Sequence, residues 1–196
     1  MPAKGGNGMK NVKTNRILLL FHLFYHCETI TCNEIDEYFQ QFTPLHTAFS
    51  HKTYQRDMQL LTEAGILSAE YMNEWRCYVP QYCGSRGGPL INREGRFIEK
   101  NGNFYLAVWP KNETQRKYMK KIIRLCTLMI QVVMAEVEDP IQWYRKKYPQ
   151  LSDRTRQRDF STLREIGYRF EYIPEDEWGE GGKYFYHYPI SAYEWP

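Results

Sequence analysis

The chain has 196 residues, 42% hydrophobic and 16% aromatic with 16 tyrosines, ample for packed cores, so a wholly disordered chain is not the expectation. The formal net charge is +3, but it is unevenly placed: residues 111–169 hold 14 Lys/Arg against 7 Asp/Glu, and residues 170–196 hold 1 against 6. A basic block followed by an acidic tail points to a surface aimed at a polyanion.

No apolar run approaches the ~20 residues needed to cross a bilayer, and the first ten residues lack a signal-peptide core, so a cytoplasmic protein without membrane contact is expected. Cysteines 27, 32, 77, 83 and 126 are odd in number and irregularly spaced, as reduced thiols would be. Their spacing is wider than that of structural zinc pairs, and His22 and His26, one helical turn apart, have no third ligand at a recognisable spacing. Neither a metal nor a cofactor is expected.

In chain order, residues 1–13 are Gly- and Lys-rich and read as a flexible arm. From Thr14 a strongly apolar first helix runs to about Cys27, and Ile30 is a short extended link. Thr31-x-x-Glu34 is a capping box that opens a second helix through Phe39 or Gln40. Pro44 keeps the next stretch from being helical throughout. A third helix over 50–65 has Ser50 as N-cap and Gly65 where a left-handed residue is wanted. Its Tyr54, Met58 and Leu61 share one face, leaving His51, Lys52, Gln55, Arg56 and Gln59 on the other. Ile66–Tyr71 and Trp75–Val79 then read as two short strands around Met72–Glu74.

Residues 81–112 form a linker in which 97–109 reads as a hairpin around Asn101-Gly102. It serves either to cement the two units, or as a dimerisation element, or, being basic, to lie along DNA. A long helix follows over 113–136, charged at its start and apolar in its body, whose spare apolar flank would suit a partner subunit. Pro140 starts a short helix to Tyr148 that carries Arg145, Lys146 and Lys147, placed for phosphates or simply solvated. The helix over 152–167 leads into a last hairpin, 168–173 with 183–188, whose tip holds Glu175, Asp176, Glu177 and Glu180 and should point away from DNA.

The chain repeats itself: Ser50–Ile66 returns 102 positions later as Ser152–Tyr168, with Ser50/Ser152, Thr53/Thr155, Gln55/Gln157, Arg56/Arg158, Asp57/Asp159, Leu61/Leu163, Glu63/Glu165 and Gly65/Gly167 identical. An internal repeat fixes the number of structural units, here two. Neighbouring helix residues are ~100° apart, so Arg56 and Asp57 cannot both face outward. Asp57 is therefore expected to turn inward to Arg16, and Asp159 to Lys121 or Arg124.

The run Ser-x-x-Thr-x-x-Arg-Asp followed by Leu-x-x-x-Gly, with a shorter helix before it and two strands after it, resembles the winged helix-turn-helix of DeoR-type and WYL-domain transcriptional regulators. The resemblance covers roughly 14–80 and, less completely, 114–190. It implies an α+β, mainly α fold: tandem winged helix-turn-helix domains over 14–80 and 113–196, joined by the β-hairpin-containing linker 81–112. It nominates Lys52, Gln55 and Arg56, with Arg154, Gln157 and Arg158 in the second copy, for a DNA major groove. Arg156 stands where the family carries an aliphatic residue and would sit beside the core, yet with Arg154, Arg158 and Arg164 it is also expected to give the second copy its phosphate affinity. The ligand-sensing WYL domain is not matched in these residues, so effector sensing does not carry over from the resemblance and the effector stays open.

Arginine, lysine and glutamine are the side chains that read base edges or grip phosphate. The expected function is therefore sequence-specific double-stranded DNA binding by a transcriptional regulator, as a monomer or homodimer. Two alternatives stay open: a plasmid or phage replication initiator with tandem winged helices, and a protein–protein interaction or dimerisation module. No nucleotide-binding glycine loop or nucleophile elbow is present, and Gly84–Gly88 only turns, so no enzyme is expected.

Overall fold

The computed structural model describes residues 11–40, 50–82, 97–100, 103–106, 110–133, 139–173 and 183–187. Helix α1 spans Val12–His26, strand β1 Ile30–Thr31, α2 Cys32–Gln40, α3 His51–Glu63, β2 Leu67–Met72 and β3 Cys77–Tyr82. The hairpin β4 (Phe97–Lys100) and β5 (Asn103–Leu106) follows, then α4 (Glu113–Val133), α5 (Pro140–Lys147), α6 (Asp153–Glu165), β6 (Arg169–Ile173) and β7 (Lys183–His187). Among the described residues the fold is thus mainly helical, with one three-stranded antiparallel sheet and two separate strand pairs. No described helix is long and apolar enough to cross a membrane.

Helix ends follow local chemistry. The Thr31 hydroxyl accepts from the Glu34 amide at 3.2 Å while the Glu34 carboxylate accepts from the Thr31 amide at 2.6 Å, the reciprocal pair of a capping box. Asp139 caps α5 by accepting from the amides of Ile141 and Gln142, with Pro140 in the first turn where a missing N–H costs nothing. Ser152 accepts from the Thr155 amide at 3.3 Å, whereas the Ser50 hydroxyl makes no such bond and lies 3.3 Å from the Thr53 hydroxyl. The two copies end alike: Gly65 has φ 64° and Gly167 φ 102°, and the amides of Ile66 and Tyr168 both donate 3.0 Å back to Leu61 and Leu163.

The sheet has order β1-β3-β2, with Ile30 opposite Tyr78 and Leu67 through Met72 opposite Tyr82 through Cys77. The strands lie one to three residues beyond the expected bounds because Asn73–Arg76 makes the turn, with Arg76 in the left-handed region at φ 53°. In the second copy β6 pairs with β7, Arg169 opposite His187, and no third strand joins them among the described residues. The β4–β5 pairing sets Lys100 opposite Asn103, leaving Asn101-Gly102, outside the described residues, as its connection. The arm 1–10 and the acidic tip with Glu175, Asp176, Glu177 and Glu180 also lie outside them.

Helix α1 is buried almost all round: every residue from Ile17 to Phe24 is at most 3% exposed. Such a helix needs neighbours on both sides. It has them in α3 on one side and in α4 and α6 of the second copy on the other. The buried residues of both copies accordingly form one continuous cluster, from Ile17 and Leu61 to Leu125, Leu163 and Tyr168. Met119, Ile122, Ile123, Leu125, Cys126, Leu128, Met129 and Ile130 of α4 are all buried in it. The flank of α4 expected to await a partner subunit is therefore filled within the chain. Burial of each large aliphatic side chain is worth ~1.5–3 kcal/mol, which makes this seam a main source of stability.

Polar pairs cross the same seam. Asn15 Nδ2 donates to Glu165 Oε2 at 2.9 Å, and His22 Nδ1 lies 2.7 Å from the Tyr168 hydroxyl. Cys27, Cys32, Cys77 and Cys126 are free thiols, and burial pushes the Cys126 thiol well up. Cys83 lies outside the described residues.

Candidate nucleic-acid interface

The acidic partner of each repeated Arg-Asp step is turned inward. Asp57 is 2% exposed, and its two oxygens accept from Arg16 Nε and Nη2, the latter at 3.0 Å. Asp159, equally buried, accepts from Arg124 Nε at 2.8 Å and from the Tyr144 hydroxyl at 2.6 Å. Arg124, rather than Lys121, is thus the cation that meets Asp159. Arg124 Nε also reaches the Tyr144 hydroxyl at 2.7 Å, closing a three-member network between α4, α5 and α6. Burial, then the Asp159 carboxylate, holds the Tyr144 hydroxyl well above the ordinary phenol range. Spacing alone gave no sign of Tyr144.

With Asp57 and Asp159 withdrawn, cations and amides predominate on the outer faces of α3 and α6, beside Glu63 at the end of α3 and exposed Asp153 at the start of α6. Lys52 and Arg56 on α3 are exposed and have no hydrogen bond or ion pair among the described residues. The amides of α3 differ. His51 has its Nδ1 3.8 Å from Cys32 Sγ and its Nε2 3.2 Å from the Gln55 amide nitrogen, and Gln59 donates to Glu63 at 2.8 Å. His51, Gln55 and Gln59 are exposed, but they are engaged in two i,i+4 pairs along the helix, His51 with Gln55 and Gln59 with Glu63.

On α6, Arg154, Gln157 and Arg158 are exposed and likewise unpaired among the described residues. Lys146 and Lys147 at the end of α5 are exposed and unpaired too, while Arg145 stands 3.9 Å from the exposed Asp153. Lys121 adds to this side of the molecule. Its ammonium is pulled below the ordinary lysine range by burial first and in part by the Arg124 and Arg158 cations nearby, against the raising pull of Asp159 and Glu165.

Arg156 stands apart from the other candidates. It occupies the position of Tyr54, which is buried in copy one with its hydroxyl donating to Asp36 at 2.9 Å. Arg156, with its side chain 15% exposed, bonds Asp153 at 2.8 Å and the carbonyls of Tyr148 and Pro149 at 3.2 and 3.3 Å. The expectation that it would sit beside the core holds, and it is a brace for the α5–α6 turn rather than an outward-facing DNA contact. Arg156→Ala is expected to lower stability by about 1 kcal/mol by freeing those carbonyls, measured by urea unfolding.

The turn between β2 and β3 presents Trp75, 64% exposed, between exposed Glu74 and Arg76. In comparisons with protein-family models, curated proteins and solved structures, nothing matches this chain.

Proposed function

We propose that the chain is a sequence-specific double-stranded DNA-binding protein, a transcriptional regulator built from two winged helix-turn-helix units. The order α1-β1-α2-α3-β2-β3 with a β1-β3-β2 sheet supports the first unit, and the α4-α5-α6-β6-β7 order supports a reduced second one. One observation carries the reading. Each repeated helix turns the aspartate of its Arg-Asp step inward to an arginine and leaves Lys52 and Arg56, or Arg154 and Arg158, outward without a partner among the described residues. An ordinary solvated helix face pairs its charges; cations that outnumber the carboxylates Asp153 and Glu63 on these faces suit phosphate and guanine edges.

The second copy grips harder in this proposal, because its free cations on α6 adjoin Lys146 and Lys147, which precede it. Selection of bound sequences from a random DNA pool tests the reading directly, and the symmetry of the recovered site reports whether a homodimer binds. Arg158→Ala is expected to lower specific affinity by ~1–3 kcal/mol and to reduce the slope of log affinity against log salt by roughly 1. Arg56→Ala should lower affinity less. No enriched sequence, together with unchanged binding in both variants, would remove the proposal. Recovered sites clustered at an origin rather than beside promoters would turn the same surface to replication initiation.

A further inference from the structure

A cleft of about 640 Å³ opens between α3 and the sheet. Its floor is apolar, with Leu20 and Phe24 from α1 and Ile35 from α2. One wall comes from the strands. Residues two apart on β2 share a face, so Ala69 and Tyr71 both line the cleft while exposed Glu70 lies between them. Tyr71 pairs in register with Tyr78, and their rings meet at 5.0 Å between centroids and 63°, an aromatic corner backed by Phe24 at 6.0 Å from Tyr78.

The opposite wall is α3, where the exposed His51, Gln55 and Gln59 of its outer face reach the rim and Glu63 ends it. Glu63 Oε1 accepts from the Gln59 amide at 2.8 Å, and its second oxygen has no partner among the described residues. None of the lining residues is a lysine or arginine, so the one formal charge on the wall is this carboxylate. A volume in the range of small-molecule sites, a greasy floor, electron-rich ring faces and a single half-satisfied anion select a ligand of matching make-up.

We infer that this cleft is a binding site for a small flat organic cation, an aromatic amine whose ring lies against Tyr71 and Tyr78 and whose ammonium reaches Glu63. The inference does not depend on nucleic-acid binding. The test is calorimetric titration of the full chain with three probes of one ring and different charge: tryptamine, indole and indole-3-acetate. Tryptamine should bind about tenfold or more tighter than indole, and indole-3-acetate weakest. Glu63→Gln should bring tryptamine to the level of indole while leaving indole itself unchanged. Ala69→Phe, which fills the cleft, should remove binding of all three, with circular dichroism checking that each variant is folded.

No heat with tryptamine at ~1 mM, or equal binding of tryptamine and indole-3-acetate, overturns the inference. Tryptamine binding that survives Glu63→Gln unaltered also overturns it. So does concentration-dependent dimerisation that Ala69→Phe abolishes without tryptamine binding, which would give the cleft to a second copy of the chain.

Discussion

Replacing Asp159 by alanine is expected to destabilise the fold by ~3–5 kcal/mol, the cost of breaking a buried ion pair. The carboxylate is 2% exposed and holds Arg124 and Tyr144 together, so its loss leaves a guanidinium, 14% exposed, without its counter-charge. The cost comes from that stranded cation more than from the pair's own strength, because burying two charges is expensive and their attraction only offsets it. A double-mutant cycle separates the two. Asp159→Leu combined with Arg124→Met should recover much of what Asp159→Leu alone loses, giving a coupling energy above ~1.5 kcal/mol in denaturant unfolding. A single-variant cost below ~1 kcal/mol, or a coupling near zero, would show the network to be incidental.

The second large effect is on acid stability. His22 lies in the α1 seam, 1% exposed, and its pKa is lowered from 6.5 to about 3, by burial first and then by His26, whose ring lies 4.5 Å away. Its Nδ1 meets the Tyr168 hydroxyl, but Nε2 has no partner among the described residues, so the protonated ring would carry an N–H with no acceptor there. The folded state therefore binds the proton more weakly than the unfolded state does. The stability this confers is fully present above the unfolded pKa of 6.5 and is lost as pH falls from there toward about 3. Between pH 7 and pH 4 the loss amounts to ~3 kcal/mol for this group alone. His26, also lowered by burial, acts in the same direction. In His22→Leu the slope of stability against pH should flatten by that amount over the same interval. A variant that titrates as steeply as the parent would place the acid sensitivity elsewhere.

Much of the helical framework was legible because each signal was local. The Thr31/Glu34 box, Pro140, and Gly65 and Gly167 mark ends by chemistry confined to one turn, and all four act as read. The inward turn of Asp57 and Asp159 was legible for a geometric reason, since a helix cannot point two adjacent side chains the same way. What the sequence hid was non-local. Tyr144 sits 15 residues from Asp159, with no periodicity linking them, yet completes its hydrogen bonding. The inward place of Arg156 followed from its position in the repeat, but its anchorage on the Tyr148 and Pro149 carbonyls, across the α5–α6 turn, had no signal in the sequence. The contacts joining His51 to Gln55 and Gln59 to Glu63 could have been anticipated, because each pair is four residues apart on one helix. The occupied flank of α4 could not, since an apolar stripe is the same in sequence whether a sister helix or another molecule covers it.

The filling of that flank by α1 has a consequence for how the duplicated cassette must be thought of. Repetition usually yields beads that can be cut from their string, each keeping its own interior. Here one bead has surrendered a side of itself: α1 contributes Leu and Phe side chains to an interior that α4 and α6 complete. Severed anywhere between Tyr82 and Glu113, the first half would leave a greasy wall wet and the second would lose its opposite number, so the twins have become organs of one body.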